Sequence, residues 1–403
     1  MGVFYMSIIV QKFGGTSLKT GEARQKATEK VIETFNAGNR IAVVVSAIGR
    51  KGDFYATDTL INLVNEIDVN INKRDLDLIM SCGETISAVI FATLLNKKGY
   101  KAVALTGTQA GIITDNNYGN AETIKVYSQR ITKLLDQGVI PVIAGFQGVT
   151  QDGDITTLGR GGSDTTASII AEAIEASFVE IYTDVDGLMT ADPKICETAR
   201  IIEEIGYNEV FQLADNGSKV IHPKAVDIVR RANIEMKIKN TFSNHEGTKI
   251  TYKHIKDADN MEDRLITGIA SLSDRAQVII NEDNLYNEEI FEEMAENMIS
   301  IDMINVYVDK KAFIINKENV KKMKEILDKY DLDYLLNEDC AKVTIIGNKM
   351  SGVPGVMNKV IKSLKRYNVE ILQTVDSLAT IAILIKKEDL KIAVNELHRE
   401  FGI

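Results

Sequence analysis

Cysteine is scarce: Cys82, Cys196 and Cys340 are the three in 403 residues, scattered and odd in number. They form no disulfide framework and no CxxC zinc spacing, so a reducing, cytoplasmic setting is expected. Histidine is almost as thin. The four (His222, His245, His254, His398) show no HxxxH spacing, which argues against metal ligation or a catalytic triad. Positive charge is in deficit, with 47 Lys and Arg against 57 Asp and Glu and a formal net charge of −10. Non-specific nucleic-acid binding needs a basic face and is not expected; a local anion site is still open. No apolar run approaches about 20 residues, so no membrane span is expected. The opening MGVFYMSIIV lacks the basic n-region of a signal peptide, and Met6 stands where a myristoylation signal needs Ser or Thr. What remains is ordinary: 45% hydrophobic and 26% charged, in a chain long enough for two or three domains.

Two familiar phosphate-binding patterns are missing as well. There is no GxGxxG, and no pair of glycines four residues apart followed by Lys-Ser/Thr. In their place stands KFGGTS, Lys12–Ser17. The β-branched run Ser7–Gln11 before it reads as a strand, and Leu18 to Phe35 after it is roughly helical. Adjacent glycines let a backbone turn tightly and be approached closely. A cation, free backbone N–H groups and a helix N-terminus at one turn favour an anion, phosphate being the usual one.

From residue 7 to about 250, short apolar runs alternate with helical segments. The strand candidates are Ile41–Ser46, Lys101–Leu105, Val139–Ala144 and Phe178–Thr183, and the helices include Asp75–Leu95 and Asp164–Ala176. Near-continuous apolar strands between helices predict a parallel sheet covered on both faces, an α/β domain with ligands beyond the strand C-termini. The pattern lapses at KHIKDADNMEDR, which marks a linker.

Beyond the linker lies an internal repeat. AFIINKENV (Ala312–Val320) matches AILIKKEDL (Ala382–Leu390) at an offset of 70, with Ala, Ile, Lys and Glu identical at the first, fourth, sixth and seventh places. Ile299–Ile301 falls on Val369–Ile371 at the same offset, and AQVII from Ala276 on AKVTII from Ala341 at 65. Each copy reads strand, helix, strand, strand, helix. Val320, Met323, Leu327 and Tyr330 share one helix face, as do Leu390, Val394, Leu397 and Phe401. Two ferredoxin-like βαββαβ units are predicted.

The densest chemistry is TTLGRGGSDTTASIIAEA, Thr156–Ala173. A strand end is followed by Gly159, Arg160, Gly161 and Gly162, then Ser163 and Asp164 as candidate caps of a good helix. Three glycines, an arginine and three hydroxyls at a helix N-terminus predict a second anion site, with Arg160 able to grip a carboxylate in bidentate fashion. YTDVDGLMTADPK (Tyr182–Lys194) carries Asp184, Asp186 and Asp192 but no Glu at the twelfth place of an EF-hand loop. In SCGETIS, Glu84 sits within an apolar helical stretch, either exposed or paired, and Cys82 beside it reads as packing.

KFGGTS, SCGE (Ser81–Glu84), GFQG (Gly145–Gly148), GRGGSD (Gly159–Asp164), TDVDGLMTADP (Thr183–Pro193) and GSKVIHP (Gly217–Pro223) occur in the order seen in aspartate kinases, which the chain resembles over nearly its whole length. The tandem repeat is similar to the paired ACT domains of those enzymes. The resemblance implies a three-layer α/β/α amino-acid-kinase domain over 1–252, a linker over 253–264, and ACT domains over 265–339 and 340–403. It implies ATP-dependent phosphorylation of the β-carboxylate of L-aspartate, an entry step to lysine, threonine, methionine and diaminopimelate, with feedback through the ACT domains. Another amino-acid-kinase-family enzyme and a non-catalytic amino-acid-binding regulator are the alternatives.

Carried over residue by residue, Lys12 would neutralise the phosphoryl group in flight, with Phe13, Gly14, Gly15 and Ser17 beside the ATP phosphates. Arg160, Gly161, Gly162 and Ser163 would bind aspartate, Glu84 would pair with its ammonium, and Thr57 (or Thr59) would be the substrate threonine. Thr183, Asp184, Met189, Asp192, Pro193, Lys194, Lys219 and Val220 match nucleotide-side positions. Mg²⁺ would come largely on ATP, with few protein ligands. The aspartate β-carboxylate, with a reference pKa of about 3.9, is already ionised at neutral pH and needs no base. Asp164 is therefore cast as an organiser of Lys12. The second repeat has Gly352-Val353-Pro354-Gly355 before its helix, a turn that lines the effector pocket in ACT domains; Asn281–Glu289 of the first repeat lacks it. A dimer or higher homo-oligomer is expected. The effector (lysine, threonine, diaminopimelate or none) is left open.

Overall fold

The computed structural model describes residues 7–218, 220–252, 265–281, 288–348, 350 and 353–403. The predicted linker 253–264, residues 282–287 in the first repeat, Lys219 and Gly352 lie outside the described residues. The chain packs as two units. The first takes residues 7–188, 201–214 and 220–252; the second takes 189–200, 215–218 and 265 onward.

The first unit is built on an eight-stranded sheet. Its order is Glu204–Gly206, Thr248–Thr251, Glu235–Asn240, Phe178–Thr183, Ile8–Phe13, Arg40–Val45, Ile140–Ala144, Ala102–Leu105. Neighbours run parallel except Glu235–Asn240 against Thr248–Thr251. The lysine-bearing strand Ile8–Phe13 lies inside the sheet, where β-branched side chains can be covered on both faces. Phe13 stacks between Phe91 (5.4 Å) and Tyr182 (4.8 Å), in a core shared with Val43, Val45 and Leu95. The helix predicted over Leu18–Phe35 runs from Gly21 to Asn36, starting where the Thr20 hydroxyl accepts from Ala23 N–H, and a separate short helix, Gly15–Leu18, precedes it.

Helix Lys73–Lys97 has the length and apolarity to cross a membrane although no uninterrupted apolar run exists. Half of its apolar window is buried inside the unit, where Ala88, Phe91, Ala92 and Leu95 join the core. A second, four-stranded sheet was not foreseen: Thr123–Val126, Ile112–Thr114, Gln147–Val149, Ile155–Thr157. Segments of three or four residues are too short to display an alternation.

The second unit is one six-stranded antiparallel sheet ordered Asp302–Val306, Lys310–Asn316, Ile266–Asn281, Asp333–Gly347, Thr380–Lys386, Gln373–Asp376. Its two central strands, 16 and 15 residues long, pair along their whole length, with register shifts between Leu272 and Gln277. Each repeat thus has four strands, but the second borrows one of its four from the start of the first. The first uses Arg275–Asn281 with the start of Asp333–Gly347; the second uses the rest of that strand and takes Ile266–Leu272 as its fourth. The boundary drawn at 339/340 lies inside one continuous strand. The predicted helix faces reach two separate cores. Val320, Met323 and Leu327 pack with Val278 and Phe313, and Val394 and Leu397 with Val343, Val360 and Ile383. Tyr330, Leu390 and Phe401 are partly buried at the margins.

Candidate active site

The site in the first unit begins where parallel strands end. Lys12 is the fifth residue of Ile8–Phe13, and Gly14 follows with its N–H bonded to Tyr182 carbonyl (3.1 Å). A Cβ on Gly14 would lie 3.7 Å from Lys12 Nζ. Gly15 meets the next loop so closely that its carbonyl accepts from Gly49 N–H (3.0 Å), and a Cβ there would overlap Gly49 carbonyl and come 2.8 Å from Ala47 carbonyl. Neither neighbour is a movable side chain. Gly15→Ala is therefore expected to cost about 1–3 kcal/mol through overpacking and to spread the two loops, read as a lower Tm together with a lower kcat.

Lys12 Nζ lies 2.6 Å from Asp164 Oδ1, both side chains almost fully buried. Asp164 is in the first turn of helix Gly162–Ala173, so the ammonium stands at the glycine–arginine turn. The expected side-chain cap is absent. Gly161 is the N-cap, in the left-handed region (φ 67°), and so no N-cap side chain accepts from the first-turn N–H groups. Asp164 is drawn to the cation instead. The neighbouring motif makes the turn possible: a Cβ on Gly145 would come 2.9 Å from Ser163 Cβ, and one on Gly162 would strike the Phe146 ring at 2.6 Å. Phe146 N–H donates to Thr166 Oγ1 (2.9 Å). Arg160 is exposed on this turn.

Glu84 lies on helix Lys73–Lys97 and is buried. Gly83 brings the helix against the loop after strand Arg40–Val45, since a Cβ there would meet Ala47 Cβ and Tyr55 carbonyl, each at 2.9 Å. Ala47 N–H donates to Glu84 Oε1 (3.1 Å), while Oε2 is buried with no partner among the described residues. Burial raises this carboxyl to about 8. The same loop leads into helix Thr57–Asn65, which Thr57 opens. Thr59 donates its hydroxyl to Asp53 carbonyl (2.8 Å).

On the other side of the lysine strand, Thr183 ends Phe178–Thr183 and donates to Asp184 Oδ1 (3.2 Å). Asp184 Oδ2 pairs with Arg50 Nη2 (2.9 Å). Ser17 is fully buried and accepts from Thr241 Oγ1 (2.7 Å). Met189, Asp192, Pro193 and Lys194 pack with the second unit, where Asp192 Oδ1 accepts from Lys194 N–H (2.9 Å). Val220 belongs to the first unit.

The sequence matches the amino acid kinase family over residues 7–240 and the ACT domain over residues 335–399. Aspartokinase 1 of Bacillus subtilis (strain 168) is 41% identical over 402 residues, covering 99% of this chain and 100% of that protein. The chain belongs to the aspartokinases. The aspartokinase of Geobacillus stearothermophilus is 39% identical, covering 99% of this chain and 98% of its own. The fold is similar to that of E. coli aspartokinase III in complex with aspartate and ADP, with a TM-score of 0.81 and 24% identity over 98% of this chain and 100% of that one.

Within the first unit the structure brings Lys12, Gly14, Gly15, Asp164 and Ser163 together around the ends of parallel strands, with Glu84 bonded to the adjacent loop. Sequence reasoning missed two contributors. Ala47 offers only a backbone N–H, which leaves no sequence signal. His222 was set aside for want of metal or triad spacing, yet its ring packs on Gly161. The His-Pro pair was a usable signal, because Pro223 takes a first-turn position of helix Pro223–Arg231 and His222 its N-cap. Burial holds this imidazole below its ordinary pKa, against the pull of Asp164.

Proposed function

We propose that this aspartokinase transfers the γ-phosphoryl group of ATP to the β-carboxylate of L-aspartate, giving 4-phospho-L-aspartate and ADP, at the site around Lys12 and Asp164. The observation that carries the site assignment is the buried Lys12–Asp164 pair at the N-terminus of helix Gly162–Ala173. In the transfer, a carboxylate oxygen forms a bond to the γ-phosphorus as the bond to the bridging oxygen of ADP breaks. Such a reaction depends on positioning and on charge stabilisation along the path. Lys12 supplies charge that Asp164 holds in place, and the N–H groups of the Gly161–Ser163 turn add their dipoles.

Arg160 and this turn take the α-carboxylate of aspartate, Glu84 its ammonium, and Thr57 a further polar contact; Thr59 is already committed to Asp53. On the nucleotide side we place Phe13, Gly14, Gly15, Thr183, Asp184 and Val220 of the first unit; Met189, Asp192, Pro193, Lys194 and Lys219 keep their nucleotide-side reading from the resemblance alone. Ser17 acts through its brace to Thr241. Mg²⁺ would come with the nucleotide phosphates, where it would shield their charge.

An amino-acid effector acts at the ACT repeats, and the enzyme is a cytoplasmic homo-oligomer. The test is ATP consumption with aspartate, glutamate, acetylglutamate and a nucleoside monophosphate as acceptors, with hydroxylamine trapping the acyl phosphate. Aspartyl hydroxamate from aspartate alone is the expected result; none from aspartate would overturn the reading. Lysine, threonine and diaminopimelate added in turn, beside light scattering, identify the effector and the assembly.

A further inference from the structure

One side chain of the GSKVIHP motif has no part in the chemistry above. His222 Nδ1 accepts from Lys224 N–H (3.3 Å) and so caps helix Pro223–Arg231. In the neutral ring this places the proton on Nε2. The other face of the residue lies against Gly161. A Cβ on that glycine would overlap His222 Cβ and Cγ and stand 2.7 Å from Cδ2. Gly161 is left-handed (φ 67°) and has no side chain to hold it there. Glycine enters and leaves that region freely, so its conformation must be imposed from outside.

We propose that His222 is a positioning residue for aspartate: its imidazole pins Gly161 left-handed, and with it the Arg160–Ser163 turn that receives the substrate. The inference rests on the reading of that turn as the aspartate site. Without the ring, a void opens on the open face of Gly161, whose carbonyl is held by Thr165 N–H (3.0 Å) and Oγ1 (3.2 Å) and whose successor Gly162 bonds back to Gly159 carbonyl (3.1 Å); the Ser163 N–H and the base of Arg160 then lose the restraint that the ring alone supplies. A misplacement of this kind is felt in substrate positioning well before it is felt in folding.

The experiment uses the full-length enzyme with aspartate and ATP. In His222→Asn the amide oxygen can still cap the helix, as asparagine does at N-caps, but the ring is gone. The expected result is a Tm at the wild-type value, KM for aspartate raised about tenfold, and KM for ATP unchanged. A wild-type KM for aspartate in His222→Asn would reduce His222 to a helix cap and overturn the proposal. Should His222→Asn not fold, the cycle of Gly161→Ala, His222→Ala and the double variant decides. Coupling in KM for aspartate, with the double variant better than the product of the singles, supports the contact; independence overturns it. Arg160→Ala separates the two levels. A raised KM for aspartate there, with none in His222→Asn, defeats the His222 role alone. No change in Arg160→Ala defeats the reading of the turn, and this inference with it.

Discussion

Lys12→Met is expected to lower kcat by about 10²–10³-fold or more, the scale of removing one preorganised charge from a transition state, while KM for aspartate stays within a few-fold. Asp164→Asn is expected to lower kcat in the same direction, and the double variant to be no worse than Lys12→Met alone. The reason is the 2.6 Å contact between Nζ and Oδ1, almost fully out of water. If Asp164 acts by holding the ammonium, its loss matters only while there is an ammonium to hold, and groups acting as one unit are non-additive. A general base would behave differently. The wild-type rate would then rise with deprotonation of Asp164, and the acid limb of kcat, measured at saturating aspartate, would vanish in Asp164→Asn. Steady-state rates of the three variants from pH 5 to 9 check both points. Full additivity of the two losses, or an acid limb that Asp164→Asn removes, would sink the organiser role.

Glu84→Gln should do two opposite things: weaken aspartate binding strongly and stabilise the enzyme at alkaline pH. The carboxyl is buried, has one N–H donor, and is raised by burial to about 8 from an ordinary 4.5. The folded state therefore holds this proton more tightly than the unfolded chain does. Wild-type stability relative to a non-titrating residue falls as pH rises from 4.5 to about 8, by about 1.4 kcal/mol for each pH step in that window, and is level above it. The Tm of Glu84→Gln minus that of wild type should grow more positive between pH 5 and 8.5; a difference flat with pH would refute it.

Binding requires the carboxylate. Below pH 8 the wild-type enzyme must release a proton to take an ammonium, so KM for aspartate should rise as pH falls, by at most tenfold per pH step. Removing one partner of a buried charge pair costs about 2–5 kcal/mol, or about 30-fold and upward in KM. In Glu84→Gln the pH dependence of KM should be gone, so the loss relative to wild type is largest at pH 8 and above and shrinks as pH falls.

Much of this site was legible before any coordinates. Lys12 could be set at an anion site because a cation at a strand end before two glycines is a local pattern; Asp164 by pattern was a helix cap, and its place beside Lys12 came through the resemblance. Glu84 could be named only through its motif. On periodicity alone it was an acid in an apolar stretch, and its burial depends on Gly83 letting the helix reach Ala47. The cap was misjudged for a related reason. Ser163 and Asp164 have the chemistry of N-caps, but Lys12, 152 positions earlier in the chain (164 − 12), offered Asp164 a charge.

In the second unit the repeat was readable as two copies of strand, helix, strand, strand, helix. The loan of Ile266–Leu272 to the second repeat was not, because Ile266–Asn281 and Asp333–Gly347 look locally like any other strands.

By itself, then, the sequence determined the layered α/β domain, the tandem repeat and the two glycine turns, since apolar period, glycine placement and helix starts are set by neighbours along the chain. Only the tertiary structure decided which groups face one another: Lys12 against Asp164, Glu84 with one oxygen unpaired, His222 upon Gly161, and the second repeat completed by the strand Ile266–Leu272 from the start of the first. Those outcomes depend on desolvation and close approach between segments far apart in sequence, and neither is a property of any local stretch.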